Sequence, residues 1–254
     1  MKIAHLFVLS LLAPAVFLRA ESVIQEDFSC GPGVPGREKI TPGTRLKQSG
    51  AVAPDNAAWD TAGAVVFAPG GKGLTFVGKE GNAGVFIEVD PGLFESGSPV
   101  RAEIEFVPGE AWVEPSGLPG IWLGFANSNS AKKELLANVN ETGDHVALRY
   151  AAAPDPVNWC LRAETGVSGE TGAAAGAKVP MRPDATYRMT LVYDPSDHSF
   201  QGELSDPESG SVKSLKGKLS IPPVFNLLRV DFTGFSIAPG PIQPLIKSIS
   251  LTKE

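Results

Sequence analysis

The sequence predicts an all-β protein: a single two-sheet antiparallel sandwich with little helix. Three observations predict it. Short runs of apolar and β-branched residues recur between clusters of Gly, Pro, Asn and Asp, the pattern expected of a sandwich or barrel. Several of these runs alternate with period two. No long segment carries the 3.6-residue period of an amphipathic helix.

The runs cover 63–68, 73–78, 84–89, 100–107, 121–126, 145–151, 158–163, 186–193, 200–204, 227–237 and 245–252. In 100–107, Ala102, Ile104 and Phe106 face one way and Arg101, Glu103 and Glu105 the other. In 186–193, Tyr187, Met189, Leu191 and Tyr193 share a face. Side chains alternate across a strand, so each of these is half-buried with one core face. Asp194, Pro195, Ser196, Asp197 and His198 separate two runs, and proline flanked by aspartates suits a turn, so 186–204 reads as a hairpin. Residues 135–151 read either as another hairpin or as a short helix over 131–137 leading into a strand. The Gly- and Ala-rich stretch 164–178 reads as a mobile surface loop.

Residues 1–20 have the parts of a secretory signal peptide. Lys2 supplies the positive start. Residues 3–12 are apolar apart from Ala4, His5 and Ser10, and small residues follow at Ala13, Ala15 and Ala20. A spanning helix needs about twenty apolar residues, which this broken stretch lacks. Cleavage is expected after Ala20, with Ala15 as the alternative, leaving one domain over 21–254 in a secreted, periplasmic or extracellular setting. Losing Lys2 and Arg19 takes the formal net charge from -6 to -8. Such a chain is a poor partner for nucleic acid or anionic lipid, which need a basic patch. The later apolar run 227–237 is broken by Arg229, Asp231 and Gly234, so no membrane insertion is expected. The two cysteines, Cys30 and Cys160, either form one disulfide in an oxidising compartment or remain unpaired with one buried. Spacing does not choose between these states.

Four segments carry a family likeness. Glu26-Asp27-Phe28-Ser29 is similar to an opening strand with Asp-Phe. Residues 100–106 are similar to an early long strand. Residues 187–194, followed by a strand containing Gly202, are similar to a late hairpin. Residues 246–251 would return to pair near the first strand. In this order the segments resemble the concanavalin A-like lectin/glucanase superfamily. The resemblance spans most of 21–254. It implies a jelly roll of two large curved antiparallel sheets, often with glycan on the concave face. It leaves function open, because that fold carries lectins, hydrolases, lyases and inert modules.

Catalytic motifs are sparse. His-Glu-x-x-His, Cys-x-x-Cys and Gly-x-Ser-x-Gly are all missing. His145 and His198 make no metal pair without further ligands. Asp194 and Asp197 lack the spacing that wraps a calcium ion, so no cofactor is assigned and calcium is called for by no motif. Laminarinase-like relatives carry Glu-x-Asp-x-x-Glu; Glu88-Val89-Asp90 begins it, but Leu93 stands at the last position. Glu103 and Glu105 form another carboxylate pair, about 6.5–7 Å apart along a strand and near enough for paired-acid chemistry. The plainer reading is a solvated strand face with Arg101 compensating charge. Arg101 and Glu103 also resemble the first element of alginate lyases, whose Gln-x-His element is missing. Residues 81–87 are similar to a strand of keto-disaccharide hydrolase-like domains. Asn140-Glu141-Thr142 is a glycosylation sequon.

The aromatic residues say more. Alternation in 120–125 turns Ile121, Leu123 and Phe125 to the core and Trp122 to the opposite face, between Gly120 and Gly124. Either the glycines leave the indole open as a platform for a sugar ring, or a loop covers it and it is core. On the platform reading Arg149, Arg162 and Asn127 supply hydrogen bonds to hydroxyls or a uronate. Trp59 and Trp112 sit in connections, and Trp159 shares a strand face with Leu161. Three functions follow: a secreted non-catalytic carbohydrate-binding or adhesion module with a glycan partner, a polysaccharide hydrolase or lyase using Glu103, Glu105 and Arg101, and a structural envelope or matrix protein.

Overall fold

The computed structural model describes residues 21–28, 60–62, 65–68, 73–76, 80–109, 120–127, 143–152, 159–167, 170–206, 209–236 and 244–254. Among them are fifteen strands: β1 (Glu21–Glu26), β2 (Asp60–Ala62), β3 (Val65–Phe67), β4 (Leu74–Phe76), β5 (Glu80–Glu88), β6 (Val100–Val107), β7 (Gly120–Ala126), β8 (His145–Ala152), β9 (Trp159–Val167), β10 (Glu170–Lys178), β11 (Tyr187–Asp194), β12 (Ser199–Asp206), β13 (Ser211–Lys218), β14 (Leu227–Ser236) and β15 (Leu245–Lys253). One short helix, α1 (Gly92–Glu95), follows β5.

The strands form two antiparallel sheets. The eight-stranded sheet runs β13-β12-β11-β6-β15-β4-β3, with β1 also paired to β15. The seven-stranded sheet runs β10-β9-β8-β7-β14-β5-β2. This is the two-sheet sandwich the alternating runs predict. The last strand does return to the first, with Glu21 opposite Lys253 and Glu26 opposite Ile249.

Period-two patterning places the core between the sheets. Ala102, Ile104 and Phe106 of β6 and Met189 and Leu191 of β11 meet Ile121, Leu123 and Phe125 of β7 and Val146, Leu148 and Tyr150 of β8 in one buried cluster. Each large aliphatic or aromatic side chain buried this way stabilises the fold by about 1.5–3 kcal/mol. Trp159 joins the same cluster. Its ring lies 4.9 Å from that of Tyr150, which in turn is 5.4 Å from Tyr187. The two tyrosine hydroxyls donate to the carbonyls of Val179 and Pro180, so neither is buried without an acceptor. Gly202 marks a close approach of the sheets: a Cβ there would lie 2.2 Å from Leu148 Cδ2.

Three segments differ from the sequence expectation. The stretch 164–178 is the end of β9 and all of β10, a hairpin in which Val167 opposes Glu170 and Cys160 opposes Lys178. Small Gly and Ala side chains carry no hydrophobic period, yet the backbone groups still complete a ladder on β9. The opening strand lies at Glu21–Glu26, ahead of Asp27 and Phe28 rather than on them. Phe28 is buried at φ 50, and its N–H donates to Glu26 Oε1 at 2.8 Å. The strand β13 was invisible to patterning because Leu215 alone among its residues is buried. It is an edge strand, and Lys213, Lys216 and Lys218 suit an edge that must not pair with another chain.

The hairpin expected at 194–198 is present as β11–β12. Residues 131–137, Trp59, Trp112, the sequon at Asn140 and the signal segment 1–20 lie outside the described residues. Among the described residues, no helix is long and apolar enough to cross a membrane.

Candidate functional site on the outer face of the seven-stranded sheet

Strand register assembles the site. Asp231 on β14 is opposite Trp122 on β7, Trp122 is opposite Arg149 on β8, and Arg149 is opposite Arg162 on β9. All four point away from the core. Sequence reasoning named three of them, and the sheet brings those three into one transverse row.

Trp122 is not the open platform that its glycine neighbours suggest; it is 2% exposed. Its Nε1–H donates to Thr233 Oγ1 at 3.0 Å. The Arg149 guanidinium lies over its ring, 4.7 Å from the centroid. Phe86, Ala126, Ala147 and Leu227 complete a small apolar cluster around it. The indole face between Gly120 and Gly124 is therefore covered rather than open. Trp122 serves as a base beneath Arg149.

Arg149 is itself nearly buried. Its Nη1 donates to Glu164 Oε1 at 3.0 Å. Burial lowers its pKa from the ordinary arginine value; Glu164 opposes that lowering, and the neighbouring Arg162 adds to it. Arg162 is only half-buried. Its Nε donates to the thiol of Cys160 at 3.1 Å. Of the two states open to Cys160, it is here a free, buried thiol; Cys30 lies outside the described residues. Exposure thus rises along the row, from fully buried Asp231 through Trp122 and Arg149 to half-open Arg162. Asn127 stands apart. It follows the end of β7, and its N–H donates to the Asp144 carbonyl at 2.9 Å.

Two functional-looking residues were missed. Arg229 and Asp231 form an ion pair with both side chains fully buried, Arg229 Nε lying 2.8 Å from each carboxylate oxygen. The sequence reading treated both as interruptions of an apolar run. Alternation over 227–233 would have found them, since it puts Arg229, Asp231 and Thr233 on one face. Arg229 lies over the Phe86 ring at 5.0 Å. Gly84, opposite Asp231, is required: a Cβ there would sit 1.8 Å from Asp231 Oδ1. Two guanidinium–aromatic contacts and two ion pairs on the outside of one sheet make a pre-organised polar face.

His145 lies two residues before Ala147 on the same face. Its Nδ1 is 3.0 Å from the Gly143 carbonyl, and its buried Nε2 has no hydrogen-bond partner among the described residues. Burial lowers its pKa below 6.5, against the raising effects of Gly143, Glu164 and Asp144.

The alternative acid pair is on the opposite side of the molecule, outside the eight-stranded sheet. Arg188 holds both acids, at 3.1 Å from Glu103 and 2.6 Å from Glu105. Arg101 pairs with Glu254 at 2.6 Å instead. The face is a network of half-exposed ion pairs, with each carboxylate occupied. Asp90 begins a turn, accepting from the Gly92 N–H at 2.9 Å. Asp194 accepts from Ser196, and Asp197 from the Ser199 N–H. These aspartates stabilise their own turns. Among the described residues, no three His, Cys, Asp or Glu side chains gather to hold a metal ion.

Solved structures share this architecture. The winged bean acidic lectin complexed with methyl-alpha-D-galactose is 10% identical, with a TM-score of 0.58 over 85% of this chain and 98% of that one. The Emp47p carbohydrate recognition domain is 12% identical, with a TM-score of 0.57 over 88% and 99%. The VIP36 exoplasmic/lumenal domain, in a form bound to Ca2+ and Man3GlcNAc, is 12% identical, with a TM-score of 0.54 over 76% and 82%. No protein-family model matches the sequence, and no curated protein matches it. The fold is the concanavalin A-like jelly roll; identity this low speaks for the fold alone.

Proposed function

We propose that this chain is an exported, non-catalytic glycan-binding module of lectin or adhesion type, with its site at the β9 end of the outer face of the seven-stranded sheet. The observation that carries the reading is the row Asp231–Trp122–Arg149–Arg162. Charged side chains on a sheet's outer face are ordinarily solvated. Here Arg149 is stacked on an indole and tied to Glu164, leaving Arg162 held in place beside it at the solvent edge. Rigid polar groups beside an aromatic base suit recognition of a hydroxyl-rich ligand. The galactose and mannose-type ligands of the similar structures support the same ligand class. Export rests on the character of residues 1–20.

The test is a panel of polysaccharides titrated against the purified protein, with sugar release followed in parallel. Binding without release of reducing ends or unsaturated sugars is expected. Release that disappears in Glu103→Gln contradicts the proposal in favour of catalysis on the other face. Absence of binding to every saccharide contradicts it in favour of a structural role.

A further inference from the structure

Arg149 and Arg162 are direct cross-strand partners on one face. Like charges directly opposite in a sheet destabilise it. One carboxylate stands beside them, and Glu164 gives its Oε1 to Arg149. Arg162 spends its Nε on the Cys160 thiol, a weak acceptor. Among the described residues, no carboxylate lies within ion-pair distance of Arg162. Lys178 on β10 is exposed and opposite Cys160, so it joins the same face. Three cations on three neighbouring strands therefore share this face, and only Arg149 is tied to Glu164, in a chain whose net charge is -6. The local sign opposes the overall sign.

An arginine fork matches two oxygens of a carboxylate or sulfate at once. We infer that Arg162, with Lys178 beside it, binds the anionic group of an acidic saccharide, a uronate carboxylate or a sulfate ester. The inference rests on the glycan-binding reading and names the class of glycan. Trp122 and Arg149 act as positioning residues: the indole carries Arg149, Arg149 holds Glu164, and the fork of Arg162 is left to the ligand.

Calorimetric titration of the full chain tests it with four polymers: polygalacturonate, its methyl ester, dextran sulfate and dextran. Binding is expected for polygalacturonate or dextran sulfate and not for the neutral counterpart of whichever binds. The charged polymer that binds identifies the anion. Raising salt from about 50 to about 500 mM should weaken binding, because an exposed charge contact is screened. Arg162→Gln should weaken it about tenfold or more, the scale of a hydrogen bond to a charged group. Lys178→Gln should have a smaller effect, and neither change should lower the unfolding midpoint, since Arg162→Gln relieves a like-charge pair. Arg162→Lys keeps the charge but loses the fork and should fall between. Equal binding of charged and neutral polymers, or full binding by Arg162→Gln, overturns the inference and leaves the glycan-binding module standing. No binding to these polymers or to any saccharide of the wider panel overturns both.

Discussion

The Arg149 guanidinium lies over the Trp122 indole, 4.7 Å from the ring centroid, and the two residues are direct partners across β7 and β8. The contact joins an apolar base to a charged row. It explains why a tryptophan on the outer face of a sheet is buried, and it leaves Arg162, one strand further on, as the half-exposed cation of the row.

Trp122→Ala should therefore act on stability. It removes a large buried ring, the indole N–H that donates to Thr233 Oγ1 and the support of Arg149. A loss of about 3–5 kcal/mol is expected in denaturant unfolding, the range for large aromatic truncations. A near-native unfolding midpoint would contradict the burial.

The Arg229–Asp231 pair makes a second prediction. Asp231→Ala leaves a buried guanidinium without that carboxylate, at a cost of about 3–5 kcal/mol. Gly84→Ala drives a methyl group into Asp231 Oδ1 and the Val230 carbonyl. It should cost about 1–3 kcal/mol, the scale of overpacking. Neutral behaviour of both variants in chemical denaturation would count against this part of the face.

Much of this was legible in the sequence. The run 100–107 coincides with β6 because its apolar and polar residues alternate without a break. The outward direction of Trp122, Arg149 and Arg162 follows from the same period. Partner identity did not follow, because register is set by tertiary pairing: nothing local says that Arg149 faces Trp122. Burial of the indole was undecided for the same reason. β10 and β13 escaped notice because one is built of Gly and Ala and the other is polar. Arg229 and Asp231 were read as breaks because their charges mask the alternation of Leu228, Val230 and Phe232.

His145 predicts a pH dependence. Burial holds its folded pKa below the ordinary 6.5. An unfolded chain takes up a proton near that pH which the folded chain refuses. Its stabilising contribution is complete above the unfolded pKa and is lost as pH falls from there toward the lowered folded value. Melting temperatures taken between about pH 8 and about pH 5 should fall more steeply for the native protein than for His145→Gln. Parallel curves would rule out a buried neutral imidazole.

Cys160 should be shielded. With 5% exposure, it should resist alkylation in the folded protein and react once unfolded, as followed by mass spectrometry of its peptide. Rapid labelling under native conditions would mean that the outer face of β9 is open.

The two outer faces of the sandwich offer rival sites for a glycan. Arg162 and Arg188 are exposed or half-exposed arginines on the outer faces of opposite sheets. The most direct measurement compares the saccharide affinity of Arg162→Ala with that of Arg188→Ala, using a polysaccharide bound by the native protein. Loss of binding in Arg162→Ala with near-native affinity in Arg188→Ala is the predicted result. Near-native affinity in Arg162→Ala with loss in Arg188→Ala would move the site to the Glu103–Glu105 face and contradict the account.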